Sequence, residues 1–60
     1  MFSILIPVFN FNIRPLVADL HRQCEANGSE FEILCFDDGS TEDFRHLNRE
    51  VASHKNVIYK

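Results

Sequence analysis

The run Phe31-Glu32-Ile33-Leu34-Cys35-Phe36 leads directly into Asp37-Asp38-Gly39-Ser40-Thr41. Five of the first six residues are apolar, all but Glu32, and the run has the length of a buried strand. The next five carry turn and cap chemistry: two carboxylates, a glycine and two hydroxyls. A polar cluster at the carboxyl end of a buried strand is where open α/β sheets bind ligands, so this stretch constrains both the fold and the location of a site. Adjacent residues in extended chain point to opposite faces, so Asp37 and Asp38 need not share one task. Taken alone, an Asp-Asp-Gly turn is an ordinary solvated strand ending. It gains meaning here from the apolar strand before it and the helix signals after it.

The rest of the chain supplies alternating strand and helix patterns. Phe2-Ser3-Ile4-Leu5-Ile6-Pro7-Val8-Phe9 is a near-continuous apolar run that suits a strand covered on both faces, as in parallel sheets. Pro7 cannot donate to a ladder, so regular pairing is expected to end there. Phe9-Asn10-Phe11-Asn12 reads as a loop, with Asn12 as a helix N-cap. Ile13, Leu16, Val17, Leu20 and Cys24 recur at helical spacing and predict a helix over residues 13–26. Pro15 falls in its first turn and Asn27-Gly28 stops it. Ser40 or Thr41 is expected to cap a second helix, with Ser40-x-x-Asp43 as a capping box and Phe44, Leu47 and Val51 as its apolar stripe. Val57-Ile58-Tyr59 reads as a third strand.

The β-α-β-α-β order implies an α/β fold, the start of a Rossmann-like architecture with a parallel sheet and right-handed crossovers. A chain stopping at its third strand is expected to be the N-terminal part of a larger domain. At 60 residues it is small; such chains bury only about 60% of their unfolded surface.

Several function classes drop out on composition. Net charge is -3 and no basic run appears, which argues against nucleic-acid binding. Cys24 and Cys35 form no C-x-x-C or Cys/His cluster and read as reduced residues, Cys35 in the core. His21, His46 and His54 match no metal-ligand spacing and read as surface residues. The apolar run of residues 2–11 is broken by Asn10 and is far short of the roughly 20 residues that cross a bilayer. No leader pattern is evident, so the expected compartment is the cytoplasm. Arg45 and Arg49, four apart on the second helix, read as a solvated face rather than a phosphate clamp.

In a parallel sheet the ends of the first two strands are neighbours. That brings Pro7, Val8, Phe9 and Asn10 beside Asp37, Asp38, Gly39 and Ser40. A ring to pack on, an amide, carboxylates and backbone N–H groups near a helix start together suit a nucleotide.

The two segments, in this order and at this spacing, resemble the opening of family 2 glycosyltransferases, which have the GT-A fold. Those enzymes begin with a strand ending in Pro-x-Tyr-Asn, then a helix, then a strand ending in Asp-Asp-Gly-Ser. The resemblance spans nearly the whole chain. It implies that residues 1–60 are the nucleotide-binding part of a domain that transfers a sugar from a nucleotide-sugar donor, a UDP-sugar, to a saccharide or lipid-linked acceptor. The implied donor-nucleotide residues are Pro7, Val8, Phe9, Asn10, Asp37 and Asp38. Asp38 would contact the base, with Asp37 supporting it or approaching from the other side. Phe9 stands where the family commonly has Tyr, so a hydroxyl contact is lost there. The family's metal-binding Asp-x-Asp, catalytic base and acceptor site lie further along, so no catalytic or metal-binding residue is expected within 1–60. The divalent metal, Mn or Mg, would be held outside it. The resemblance also implies peripheral association of the full protein with the cytosolic face of a membrane.

Three other readings fit less well. Asp38-Gly39-Ser40 is similar to the end of the haloacid dehalogenase signature, but the nucleophile position would fall on Phe36. Receiver domains carry their acidic doublet after the first strand, and sugar-phosphate nucleotidyltransferases open with a glycine-rich loop that is missing here. A non-catalytic nucleotide-binding or interaction fragment is the alternative of a different class.

Overall fold

The computed structural model describes residues 1–28 and 30–60. Strand β1 (Phe2–Val8) is followed by helix α1 (Arg14–Asn27), strand β2 (Phe31–Asp37), helix α2 (Glu42–Asn48), a 3₁₀ turn (Arg49–Ser53) and strand β3 (Val57–Tyr59). The three strands form one sheet in the order β1-β2-β3, with both pairings parallel. The α/β class and the β-α-β-α-β order are therefore those expected from the sequence. Register places Ile33 between Ile4 and Val57, Leu34 between Leu5 and Ile58, and Val8 beside Asp37.

Strand order and crossover hand decide where the core lies. Two right-handed crossovers that step in the same direction put both helices on one side of the sheet. Accordingly Ile6, Val8, Phe31, Ile33, Cys35 and Val57 are buried with Ile13, Val17, Cys24 and Val51. The opposite face carries Leu5, Phe36 and Ile58, which are 62%, 44% and 46% exposed. The expectation that the first strand is covered on both faces is thus corrected: one face is covered and the other is open. Burial pushes the Cys35 thiol above its ordinary pKa. Both cysteines are free and buried. No helix among the described residues is long and apolar enough to cross a membrane.

Pro7 does not end the ladder. Pairing runs through Pro7 opposite Phe36 to Val8 opposite Asp37. The reason is parity. The Phe2 N–H donates to the Glu30 carbonyl and the Val8 carbonyl accepts from the Asp38 N–H, so even-numbered residues turn their polar groups toward β2. The nitrogen of Pro7 faces the open edge, where no donor is needed.

Helix α1 starts one residue later than expected. Asn12 still serves its end, because Asn12 Oδ1 accepts from the Arg14 N–H at 3.1 Å. Gly28 ends the helix with φ 72°, its N–H on the Glu25 carbonyl at 3.2 Å. Helix α2 is shorter than its apolar stripe suggests and passes into the 3₁₀ turn that carries buried Val51. Thr41 holds the N-cap position without a side-chain cap, and the Ser40 capping box does not form because Ser40 is engaged elsewhere. His21 is not a surface residue. Its ring sits edge-on to Phe31 at 5.5 Å, and Nε2 lies 2.9 Å from the Lys55 carbonyl, which requires the Nε2–H form.

Asn48 joins the helical layer to the loop after β1. Its side chain is 0% exposed, accepts from the Ile13 N–H at 3.0 Å and donates to the Phe11 carbonyl at 2.7 Å. An asparagine in a helix reads as a surface residue, yet position 48 is four residues past Phe44 and three before Val51, on the inward stripe. We expect Asn48→Ala to lower stability by about 1–3 kcal/mol in equilibrium urea unfolding, since it strands the buried Ile13 N–H and takes the partner from a part-buried Phe11 carbonyl. A loss under about 0.5 kcal/mol would show that this linkage is not holding the loop, because a stranded buried group carries a larger cost.

Candidate nucleotide site at the carboxyl ends of β1 and β2

With Val8 beside Asp37, the loops leaving the first two strands are neighbours. They are joined by their own polar groups. Asn10 adopts φ 46°, a left-handed conformation that Asn tolerates better than most residues. In this conformation its N–H donates to Ser40 Oγ at 2.8 Å, while Asn10 Oδ1 accepts from the Thr41 N–H at 2.9 Å. The pair forms a reciprocal clip between the two loops, and Ser40 is buried beneath it.

The β2 turn is built on Asp37. The Ser40 N–H donates to Asp37 Oδ1 at 2.7 Å, and the Tyr59 hydroxyl from β3 donates to Oδ2. Arg45 Nε lies 3.9 Å from Oδ1, and the Asp37 side chain is 5% exposed. Burial by itself raises the pKa of this carboxyl. The Tyr59 hydroxyl, the Ser40 amide and hydroxyl, and the Arg45 charge together outweigh it and hold Asp37 below its ordinary value. The same contact acts in reverse on Tyr59, whose phenol is pushed up to about 12 by burial, then by the hydrogen bond and charge of Asp37. Gly39 completes the turn at φ 94°. A Cβ there would lie 3.9 Å from Phe9 Cε1, an ordinary contact, so backbone conformation and not crowding calls for glycine.

The six residues singled out in the sequence therefore separate. Phe9, Asn10 and Asp38 lie exposed and together at the carboxyl edge. The Asp38 amide is tied to the Val8 carbonyl at 2.8 Å, and its carboxylate has no hydrogen-bond or ion-pair partner among the described residues. Val8 is buried, so it offers only backbone, and Pro7 lies on the open face of the sheet. Asp37 points away from the edge, into the contacts with Tyr59, Ser40 and Arg45. Sequence reasoning missed Tyr59 and Arg45. The available signal was the parallel order itself, which sets the end of β3 beside the end of β2. Among the described residues no group of three or more His, Cys, Asp and Glu is placed to hold a metal ion. These residues do not fit a divalent-metal site.

A family model described as Glycosyl transferase family 2 matches residues 3–60, and the chain belongs to that family. No solved structure matches the chain.

Tyr59 is the one tyrosine in the sequence, so phenolate absorbance reads it directly. We expect a titration midpoint near 12 in the folded protein against 10 when unfolded. Because the folded value is the higher, the stability Tyr59 contributes is complete below pH 10 and is lost as pH rises from 10 toward 12. Asp37→Asn should move the midpoint back toward 10. A midpoint of 10 in the folded wild type would contradict the Tyr59–Asp37 contact.

Proposed function

We propose that Phe9, Asn10 and Asp38 bind the nucleoside of a nucleotide-sugar donor in an enzyme that transfers the sugar to an acceptor hydroxyl. Membership of the family supports glycosyl transfer in general, with a nucleotide-sugar donor and an acceptor as its substrates. The observation that carries the finer reading is the presence, at one edge, of an exposed aromatic ring and an unpartnered carboxylate on two loops joined by the Asn10–Ser40 clip.

The chemistry follows from those groups. The Phe9 ring, 62% exposed, offers an apolar face on which a base can stack. An ionised carboxylate is an acceptor only, so Asp38 selects a base edge or ribose that donates. The N–H of uracil meets that requirement, which favours a UDP-sugar. Phe9 has no hydroxyl, so it adds packing and no hydrogen bond. Asp37 supports the turn and does not touch donor. The backbone carbonyl of Val8 holds the Asp38 amide, which fixes the base of the turn while leaving its carboxylate to the ligand.

The divalent metal of this reading, Mn or Mg, would be held by residues other than these. So would the catalytic base and the acceptor, and residues 1–60 alone should not turn over substrate. The acceptor is a saccharide or a lipid-linked sugar, the latter bringing the full enzyme to the cytosolic face of a membrane.

Donor binding by calorimetry on the full enzyme tests the assignment. Asp38→Ala should weaken it by about 1.5–3 kcal/mol, the usual cost of a lost hydrogen bond to a charged group. That corresponds to roughly a tenfold to hundredfold rise in Kd. Unchanged donor affinity would overturn the role of Asp38.

A further inference from the structure

Arg45 and Arg49 sit four residues apart, across the junction of α2 and the 3₁₀ turn. Like charges at this spacing repel and would be expected on a well-solvated face. Both keep solvent exposure, and the fold adds a shared crevice. Asp37, Arg45, Arg49, Tyr59 and Lys60 line a cavity of about 330 Å³. Lys60 is fixed there by its backbone: its N–H donates to the Cys35 carbonyl at 2.9 Å and its carbonyl accepts from the Asp37 N–H at 2.7 Å. Both guanidinium groups are close enough to Tyr59 to act on its hydroxyl.

Two further observations show that the cations are not balanced from within. Arg45 Nε is buried and has no hydrogen-bond acceptor among the described residues. The nearest carboxylate oxygen, Asp37 Oδ1 at 3.9 Å, already accepts from the Ser40 amide. Arg49 and Lys60 have no ion-pair partner among the described residues. Three cations thus line one crevice with a single carboxylate, which already accepts from Ser40 and Tyr59, in a chain whose formal charge is -3. The cavity lies at the carboxyl ends of β2 and β3, the edge at which open α/β sheets take ligands.

We propose that Arg45, Arg49 and Lys60 form a binding site for a phosphate-class oxyanion. Arg45 presents its enclosed Nε–H together with the outer nitrogens of a planar fork, which matches two oxygens of one phosphate. Arg49 and Lys60 close the crevice as further positive charges. Tyr59 does not compete, because its proton is given to Asp37. The site stands on these groups and does not depend on the nucleoside assignment. Asp37 links the two places: its side chain lines the crevice, while the turn that it builds carries the exposed Asp38. The anion can come from the diphosphate of a donor or from a separate phosphate, and the chemistry is shared.

The test is a titration of the full-length protein with inorganic phosphate at constant ionic strength, following the Arg45 Nε–H by NMR, with chloride as the matched control. We expect a saturable shift with phosphate and none with chloride. Arg49→Gln and Lys60→Gln, both at exposed positions, should each weaken half-saturation by about fivefold. Arg45→Lys, which keeps the charge facing Asp37, should abolish two-oxygen chelation and weaken it further. Equal, non-saturating shifts with phosphate and chloride, or half-saturation unmoved by both glutamine variants, would overturn the site. A nucleoside diphosphate that saturates at lower concentration than phosphate upholds the site and names the donor as the source. Equal concentrations uphold it and name a separate phosphate. If no nucleoside binds while phosphate still shifts Arg45, the nucleoside assignment fails and the anion site stands.

Discussion

The carboxyl edge of this sheet depends on where one side chain points. Asp37 ends β2 with its carboxylate turned into the protein, where it accepts from Tyr59 and Ser40 and faces Arg45. A buried carboxylate is costly unless its oxygens are satisfied, and here every contact belongs to a different segment of the chain. The Ser40 amide shapes the turn, the Tyr59 hydroxyl ties in β3, and Arg45 ties in α2. Ser40 passes the linkage on, since its hydroxyl oxygen accepts from Asn10 and so reaches the loop after β1. The adjacent carboxylate of Asp38 is left free because its neighbour does this structural work. Two identical side chains in sequence thus acquire opposite roles from the alternation of an extended backbone.

The same economy governs the body of the fold. A chain of this size has few residues to bury, and it concentrates them on one face of the sheet. Both crossovers step in one direction, so the helical layer covers that face alone. Asn48 takes a core position and uses it to satisfy the loop of residues 11–13 rather than to add apolar area. The loop that carries Phe9 and Asn10 is therefore anchored twice, by Ser40 at its start and by Asn48 at its end.

Much of this was legible in the residues. The apolar runs, the helical spacing from Ile13 to Cys24 and the Gly28 stop carry the element order. Parallel pairing then follows, and with it the meeting of the two loops. What escaped was whatever depends on parity or on partners distant in sequence. The donor that Pro7 lacks points to a ladder end, but the edge toward which its nitrogen faces decides otherwise. Either Ser40 or Thr41 suits the cap of α2; Thr41 takes that position, and the Ser40 hydroxyl accepts from the Asn10 N–H instead. Asn48 and Tyr59 carry no local signal of their roles. Each is defined by a group from another element, 35 residues away for Asn48 and 22 for Tyr59. Asp37 and Asp38 were separable only as two options, and the direction of each side chain needed the structure.

The central claim is that a nucleoside is held where Phe9 and Asp38 meet at the carboxyl edge. Proton NMR with uridine diphosphate tests it most directly, through Overhauser contacts from the Phe9 ring to the base. Phe11 lies two residues on, is similarly exposed, and serves as the internal control. The account predicts contacts from base protons to Phe9 and none to Phe11. Contacts from the base to Leu5, Phe36 or Ile58 on the open face of the sheet, with none to Phe9, would contradict it.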